Sequence, residues 1–122
     1  MTVRERIQVL YDSDLSAGEE IETSEPIPSG ETWQISRITF GDMSKNDNKS
    51  GVFQVDFGVD SDRDILARAY LSGSTIVIDI NRSFLGDGIK VFRFLRENQS
   101  NPAKKMLIFV EGFKRFGDLL KE

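Results

Sequence analysis

An all-β fold, an antiparallel β-sandwich in a jelly roll of about eight strands, is what this 122-residue sequence predicts. Three observations carry that expectation. Apolar and polar residues alternate with period two over most of the chain. Turn residues interrupt the alternation at short, regular intervals. No helical segments alternate with the strands, so there is nothing to join parallel neighbours.

The strands follow in order. Arg6 to Tyr11 alternates through Ile7, Val9 and Tyr11. Glu19 to Thr23 holds only Ile21, and Pro26 and Pro28 bar that stretch from a central position, so it is a polar edge strand. From Thr32 to Phe40 the apolar set runs Trp33 and Ile35, then Ile38 and Phe40, a change of parity that calls for a β-bulge near Arg37. Val52 to Val59 places Phe53, Val55, Phe57 and Val59 on one face, with Gln54, Asp56 and Gly58 on the other, as in a half-buried strand. Ile65 to Leu71 is read as a strand over one or two helical turns. Thr75 to Asn81 alternates Ile76, Ile78 and Ile80 with Val77 and Asp79, Ile89 to Leu95 is apolar on both faces, and Met106 to Phe113 is rich in Ile, Phe and Val.

The turns between them are Pro28-Ser29-Gly30, the polar stretch Gly41 to Gly51, Ser72-Gly73-Ser74, Gly86-Asp87-Gly88 and Asn98 to Pro102. Residues 1–122 form one domain, with a core over about 3–113 and a short C-terminal tail over 114–122.

The chain has no cysteine and no histidine. Disulfides, thiol nucleophiles, thiolate zinc sites and imidazole acid–base chemistry are therefore excluded, and the chain is read as a non-enzyme without a catalytic residue. Carboxylate chemistry is the route left open. Asp79, between Ile78 and Ile80, is the acid nearest to an apolar setting, and on a strand its side chain points away from both toward solvent. No window is long and apolar enough for a membrane span, and the first residues lack the apolar core of a signal peptide. A soluble chain made in a cytoplasm is expected, without a membrane partner.

The net charge of −4 is uneven. Residues 1–60 carry five Lys/Arg against twelve Asp/Glu and the rest eleven against eight, giving −7 and +3. Either complementary patches dock one copy on the next, or strands of both halves interleave and the surface charge averages out; the second is the simpler reading. Lys104-Lys105 and Lys114-Arg115 are the basic doublets on an acidic chain, so nucleic acid is not an expected partner.

Asp60, Asp62 and Asp64 share the D-x-D-x-D opening of a calcium loop. Ile65 and Leu71 then stand where glycine and a bidentate glutamate are required, and Arg63 lies inside the cluster. Calcium at these three aspartates is the one candidate metal site, and no cofactor is otherwise expected. Trp33, Tyr11 and Tyr70 could stack on sugar rings, although a tryptophan in an alternating run is more often core. Phe113, Phe116, Leu119 and Leu120 continue past the last strand at spacings near three, and either fold back on the sandwich or dock on a neighbouring subunit.

The turn phrases Pro26-Ile27-Pro28-Ser29-Gly30-Glu31-Thr32-Trp33, Tyr70-Leu71-Ser72-Gly73-Ser74-Thr75, Phe84-Leu85-Gly86-Asp87-Gly88 and Asn98-Gln99-Ser100 carry a resemblance. Over residues 20 to 113 the chain resembles small jelly-roll virion proteins of tailed bacteriophages. The resemblance implies a capsid decoration or cement subunit that binds other virion proteins, the major capsid protein first, as a homo-oligomer with a trimer favoured. The alternative it implies is a carbohydrate- or host-surface-binding module of a phage tail or baseplate. The implied location is the virion, after synthesis in the host cytoplasm. Contacts are expected from Met1 to Arg6, from the loop Gly41 to Gly51 and from the tail Phe113 to Leu120.

Overall fold

The structure, a computed structural model, describes residues 4–16, 18–42, 51–71, 73–99 and 104–116, and every regular element among them is a strand. They are β1 (Arg4–Leu15), β2 (Glu20–Pro26), β3 (Glu31–Asp42), β4 (Gly51–Val59), β5 (Asp62–Leu71), β6 (Thr75–Leu85), β7 (Val91–Asn98) and β8 (Lys104–Phe116). Two four-stranded antiparallel sheets result, one ordered β1-β8-β3-β6 and the other β2-β7-β4-β5. We call them the first and second sheet. The pairs β4 with β5, β3 with β6, β2 with β7 and β1 with β8 nest inside one another. The chain is thus a long ribbon closed at Asp60 and Ser61, then rolled until β8 meets β3 and β7 meets β4. That is the jelly-roll form of a β-sandwich.

In both sheets, strands from the first and second half of the sequence alternate. The strands of the −7 and +3 halves are therefore interleaved one by one among the described residues.

The bulge in β3 is present. Register shifts between Ile35 and Arg37, so Trp33 and Ile35 are buried on odd positions and Ile38 and Phe40 on even ones. Opposite it on β6, two residues, Ile80 and Asn81, stand against Ser36, and Asn81 takes a left-handed backbone (φ 49°) that asparagine tolerates better than most residues. On β8 the backbone comes close to β3 at this point. A Cβ on Gly112 would collide with the Gln34 carbonyl, so glycine is required there by contact.

The core lies between the sheets. Trp33, Phe40 and Phe84 from the first sheet meet Phe53, Phe92 and Phe94 from the second. Trp33 stacks on Phe92 at 5.8 Å, Phe40 on Phe53 at 5.2 Å and Tyr11 on Phe94 at 4.5 Å, while Phe84 meets Phe92 edge-on at 5.0 Å. Such pairs contribute about 0.5–1.5 kcal/mol each beyond their area burial.

Two local expectations need amendment. Ile89 is not in a strand, because the Asp87 carboxylate accepts the N–H groups of Ile89 and Lys90 and ties them into the turn, so β7 begins at Val91. That turn joins strands of different sheets and is not a hairpin. The outward face of β4 is also less open than a half-buried strand implies, since Asp56 is buried beneath two arginines.

Candidate functional site

Exposed apolar side chains define the first candidate surface. At one end of the sandwich β8, β3 and β6 finish side by side: Phe116 is paired with Glu31, Leu85 with Thr32, and the Gly86 N–H donates to the Glu31 carbonyl. Leu85 is 74% exposed and Ile89, in the adjoining turn, 71%. The turn holding Ile89 is firm, because the Gly88 N–H donates to the Ile27 carbonyl and Asp87 caps it from within. Two N–H donors on that carboxylate also hold its pKa below the ordinary value. Rigidly presented apolar groups of this kind suit a protein contact. Neither Leu85 nor Ile89 stands out in the sequence, where Leu85 belongs to a turn phrase and Ile89 reads as the start of a strand.

β8 extends to Phe116, so Phe113 and Phe116 lie on the strand and not past it. Strand pairing on both sides, with β1 and β3, carries the chain through Lys114 and Arg115. Phe113 points outward under the Arg4 guanidinium, 4.3 Å from its ring centre. Leu119 and Leu120 lie outside the described residues, as do residues 1–3 and most of the loop from Gly41 to Gly51.

The outward face of the first sheet is the second surface. Leu10 of β1, Phe109 of β8, Thr39 of β3 and Val77 of β6 stand in one row across all four strands. Leu10 is 53% and Val77 56% exposed. In the next row Leu107 lies over Gly41, where a Cβ would meet its Cγ at 3.0 Å.

Charged groups are used largely within the fold. Asp56 accepts hydrogen bonds from Arg63 Nε, from Arg93 Nε (3.0 Å) and Nη2 (2.8 Å), and from Gln54 Nε2 (2.9 Å). Burial raises the Asp56 pKa, but the donors from Arg93, Arg63 and Gln54 outweigh it and hold the carboxyl below its ordinary 3.8. Arg63 also donates to the Gly58 and Val91 carbonyls, which fixes the turn between β4 and β5 to β7. Asp60, Asp62 and Asp64 are all exposed, and Asp64 pairs with Arg82 at 3.0 Å. Among the described residues no group of three or more acidic side chains is placed to hold a metal ion. The arginine that interrupts D-x-D-x-D thus serves Asp56. Asp79 is exposed, as its place on a strand predicts.

Between the open edges β1 and β2 the interior holds a cavity of about 40 Å³, lined by Ile7, Val9, Ile35, Val55, Phe94 and others, with Glu25 and Lys114 on its margin. That space suits water, not a sugar. Trp33 forms its wall at 7% exposure, donates from Nε1 to Glu31 and lies under the Lys114 ammonium at 4.7 Å, so it is not a platform for sugars. Tyr11 also lines the cavity; burial and the Glu25 carboxylate push its pKa up to about 12. Tyr70 is exposed and lies beneath Arg68. Nearby, Arg96 is fully buried, donating to Thr23 Oγ1 (3.0 Å) and Ser13 Oγ (3.4 Å), and burial lowers its pKa.

No protein-family model matches the chain, and no curated protein is similar to it in sequence. Solved structures similar to it include the Drosophila NLP core, described for pentamer formation and histone binding, at 15% identity and a TM-score of 0.43, covering 87% of this chain and 97% of that one. Desmodium yellow mottle tymovirus is similar at 10% identity and a TM-score of 0.43, covering 93% and 87%. Infectious bursal disease virus strain Gx is similar at 9% identity and a TM-score of 0.46; the match covers 94% of this chain but 31% of that one.

Proposed function

We propose that this chain is a non-enzymatic structural protein of a virion, a decoration or cement subunit that adheres to other virion proteins, the major capsid protein first among them, as a homo-oligomer. The observation that supports this reading best is the apolar end of the sandwich, where Leu85 and Ile89 stand in solvent, Ile89 in a turn tied down by Asp87 and Gly88. The jelly-roll topology and the resemblance in turn phrases agree with it. A sugar-binding tail or baseplate module, the competing reading, loses its main aromatic platform with Trp33 in the core. The virion is the proposed location, after synthesis in the host cytoplasm.

The test compares particles assembled with and without this protein under heat and low salt. Particles lacking it are expected to lose integrity at lower temperature, and particles carrying Leu85→Asp or Ile89→Asp subunits to bind fewer copies with the subunit's own melting temperature unchanged. Equal resistance of particles with and without the protein would overturn the assignment.

A further inference from the structure

The outward face of the first sheet is complementary to itself. Three successive rows cross it in the order β1, β8, β3, β6: Gln8, Glu111, Arg37, Asp79; then Leu10, Phe109, Thr39, Val77; then Asp12, Leu107, Gly41, Thr75. Rotating a second copy by a half turn about a line along the strands, between β8 and β3, places each row over itself in reverse. Glu111 then meets the second copy's Arg37, Leu10 its Val77, Phe109 its Thr39, and Leu107 its Gly41. Gln8 meets Asp79 and Asp12 meets Thr75, each an acid against a donor. No like charges oppose one another in these rows.

A half turn about the perpendicular line fails this comparison, because it sets Glu111 on Leu107 and Arg37 on Gly41. Of these two arrangements the complementarity favours the first, and every contact in it occurs twice, as an isologous interface requires. Glu111 and Arg37 already approach to 3.8 Å within one copy. Across the axis the two pairs would close into a ring of alternating charge.

The face is also large enough. Strands of 11 to 13 residues, four abreast, make a surface roughly 40 Å by 19 Å, or about 750 Å², close to the ~800 Å² per partner of a stable interface. Sheet-on-sheet stacking is the ordinary way for such a face to be covered.

We infer that the outward face of the first sheet binds the same face of a second copy of this chain across a two-fold axis between β8 and β3. This goes beyond the virion reading and does not rest on it, since self-association needs no capsid. The two-fold contact differs from the trimer that the resemblance implies, whose ring would use other surfaces, although both can coexist in a dihedral assembly.

The test is the mass of the full chain in solution by sedimentation and light scattering at rising concentration. A dimer, or another even-numbered assembly, is expected, weakened about tenfold or more by Glu111→Arg or by Arg37→Glu alone. Mixing the Glu111→Arg chain with the Arg37→Glu chain is expected to restore association, because each then faces its opposite charge across the axis. Leu10→Asp with Val77→Asp, both at exposed positions, should dissociate the assembly while the melting temperature of the monomer holds. A monomer at all concentrations, an odd-numbered ring untouched by these changes, or a mixture that fails to reassociate would overturn the inference, whatever the particle experiment returns.

Discussion

Asp56 is the residue on which the second sheet's outer face depends. Its carboxylate is nearly solvent-free and accepts from two arginines on neighbouring strands, Arg63 of β5 and Arg93 of β7. Replacing the carboxylate by an amide removes the charge and sets an NH2 donor against the two guanidinium groups, and Asp56→Asn is expected to cost about 3 kcal/mol, toward the low end of the range for a broken buried pair because Arg93 is partly in solvent and Arg63 keeps the Gly58 and Val91 carbonyls. The pH dependence follows from the lowered pKa. The stabilisation is complete above the ordinary 3.8, where the carboxyl of the unfolded chain is ionised, and is lost as pH falls through the lower folded value. Melting temperature measured from pH 6 down to pH 2 should therefore drop more steeply for the natural chain than for Asp56→Asn. Parallel curves would show that Asp56 does not carry this linkage.

The β3 bulge and the strand opposite it form one device. Ser36 shifts the register so that both halves of β3 present apolar residues inward, and β8 approaches closely at Gly112. A methyl group at Gly112 has backbone atoms of Gln34 and Ile35 in its way, whereas one at Gly41 meets only the Leu107 side chain, which can turn aside. Gly112→Ala is thus expected to lose about 2–3 kcal/mol in denaturant unfolding, and Gly41→Ala well under half of that. The parity change from Ile35 to Ile38 makes the bulge legible in the sequence. The requirement at Gly112 is not, because it arises from a partner strand about 75 residues away in the chain.

For the molecule as a whole, β8 has an importance its position near the C-terminus conceals. It lies between β1 and β3 in the first sheet, so shortening it removes pairing from both. Compared with a chain ending at Phe116, one ending at Gly112 loses the paired residues Phe113 to Phe116 and the Lys114 cover over Trp33. Its tryptophan emission should shift to the red and its melting temperature fall. Since Trp33 is the one tryptophan, the spectrum reads that site directly. Identical spectra and melting for the two chains would show that β8 ends earlier than Phe116.

The sequence by itself determined the class of fold, the eight strands and the bulge, because period two, turn chemistry and proline are local signals that survive without knowledge of partners. It also placed Trp33 inside and Asp79 outside, which alternation alone decides. The tertiary structure decided which strands are neighbours, and with that everything that depends on juxtaposition. It interleaved the charged halves, gave Arg63 to Asp56, left Leu85 and Ile89 in solvent, and ranged Leu10, Phe109 and Val77 in one row. Leu10, Phe109 and Val77 come from strands β1, β8 and β6, far apart in the chain, and nothing in their own segments shows that they come together. A period-two pattern states that a side chain lies on one face or the other; only the rolled ribbon determines what covers that face.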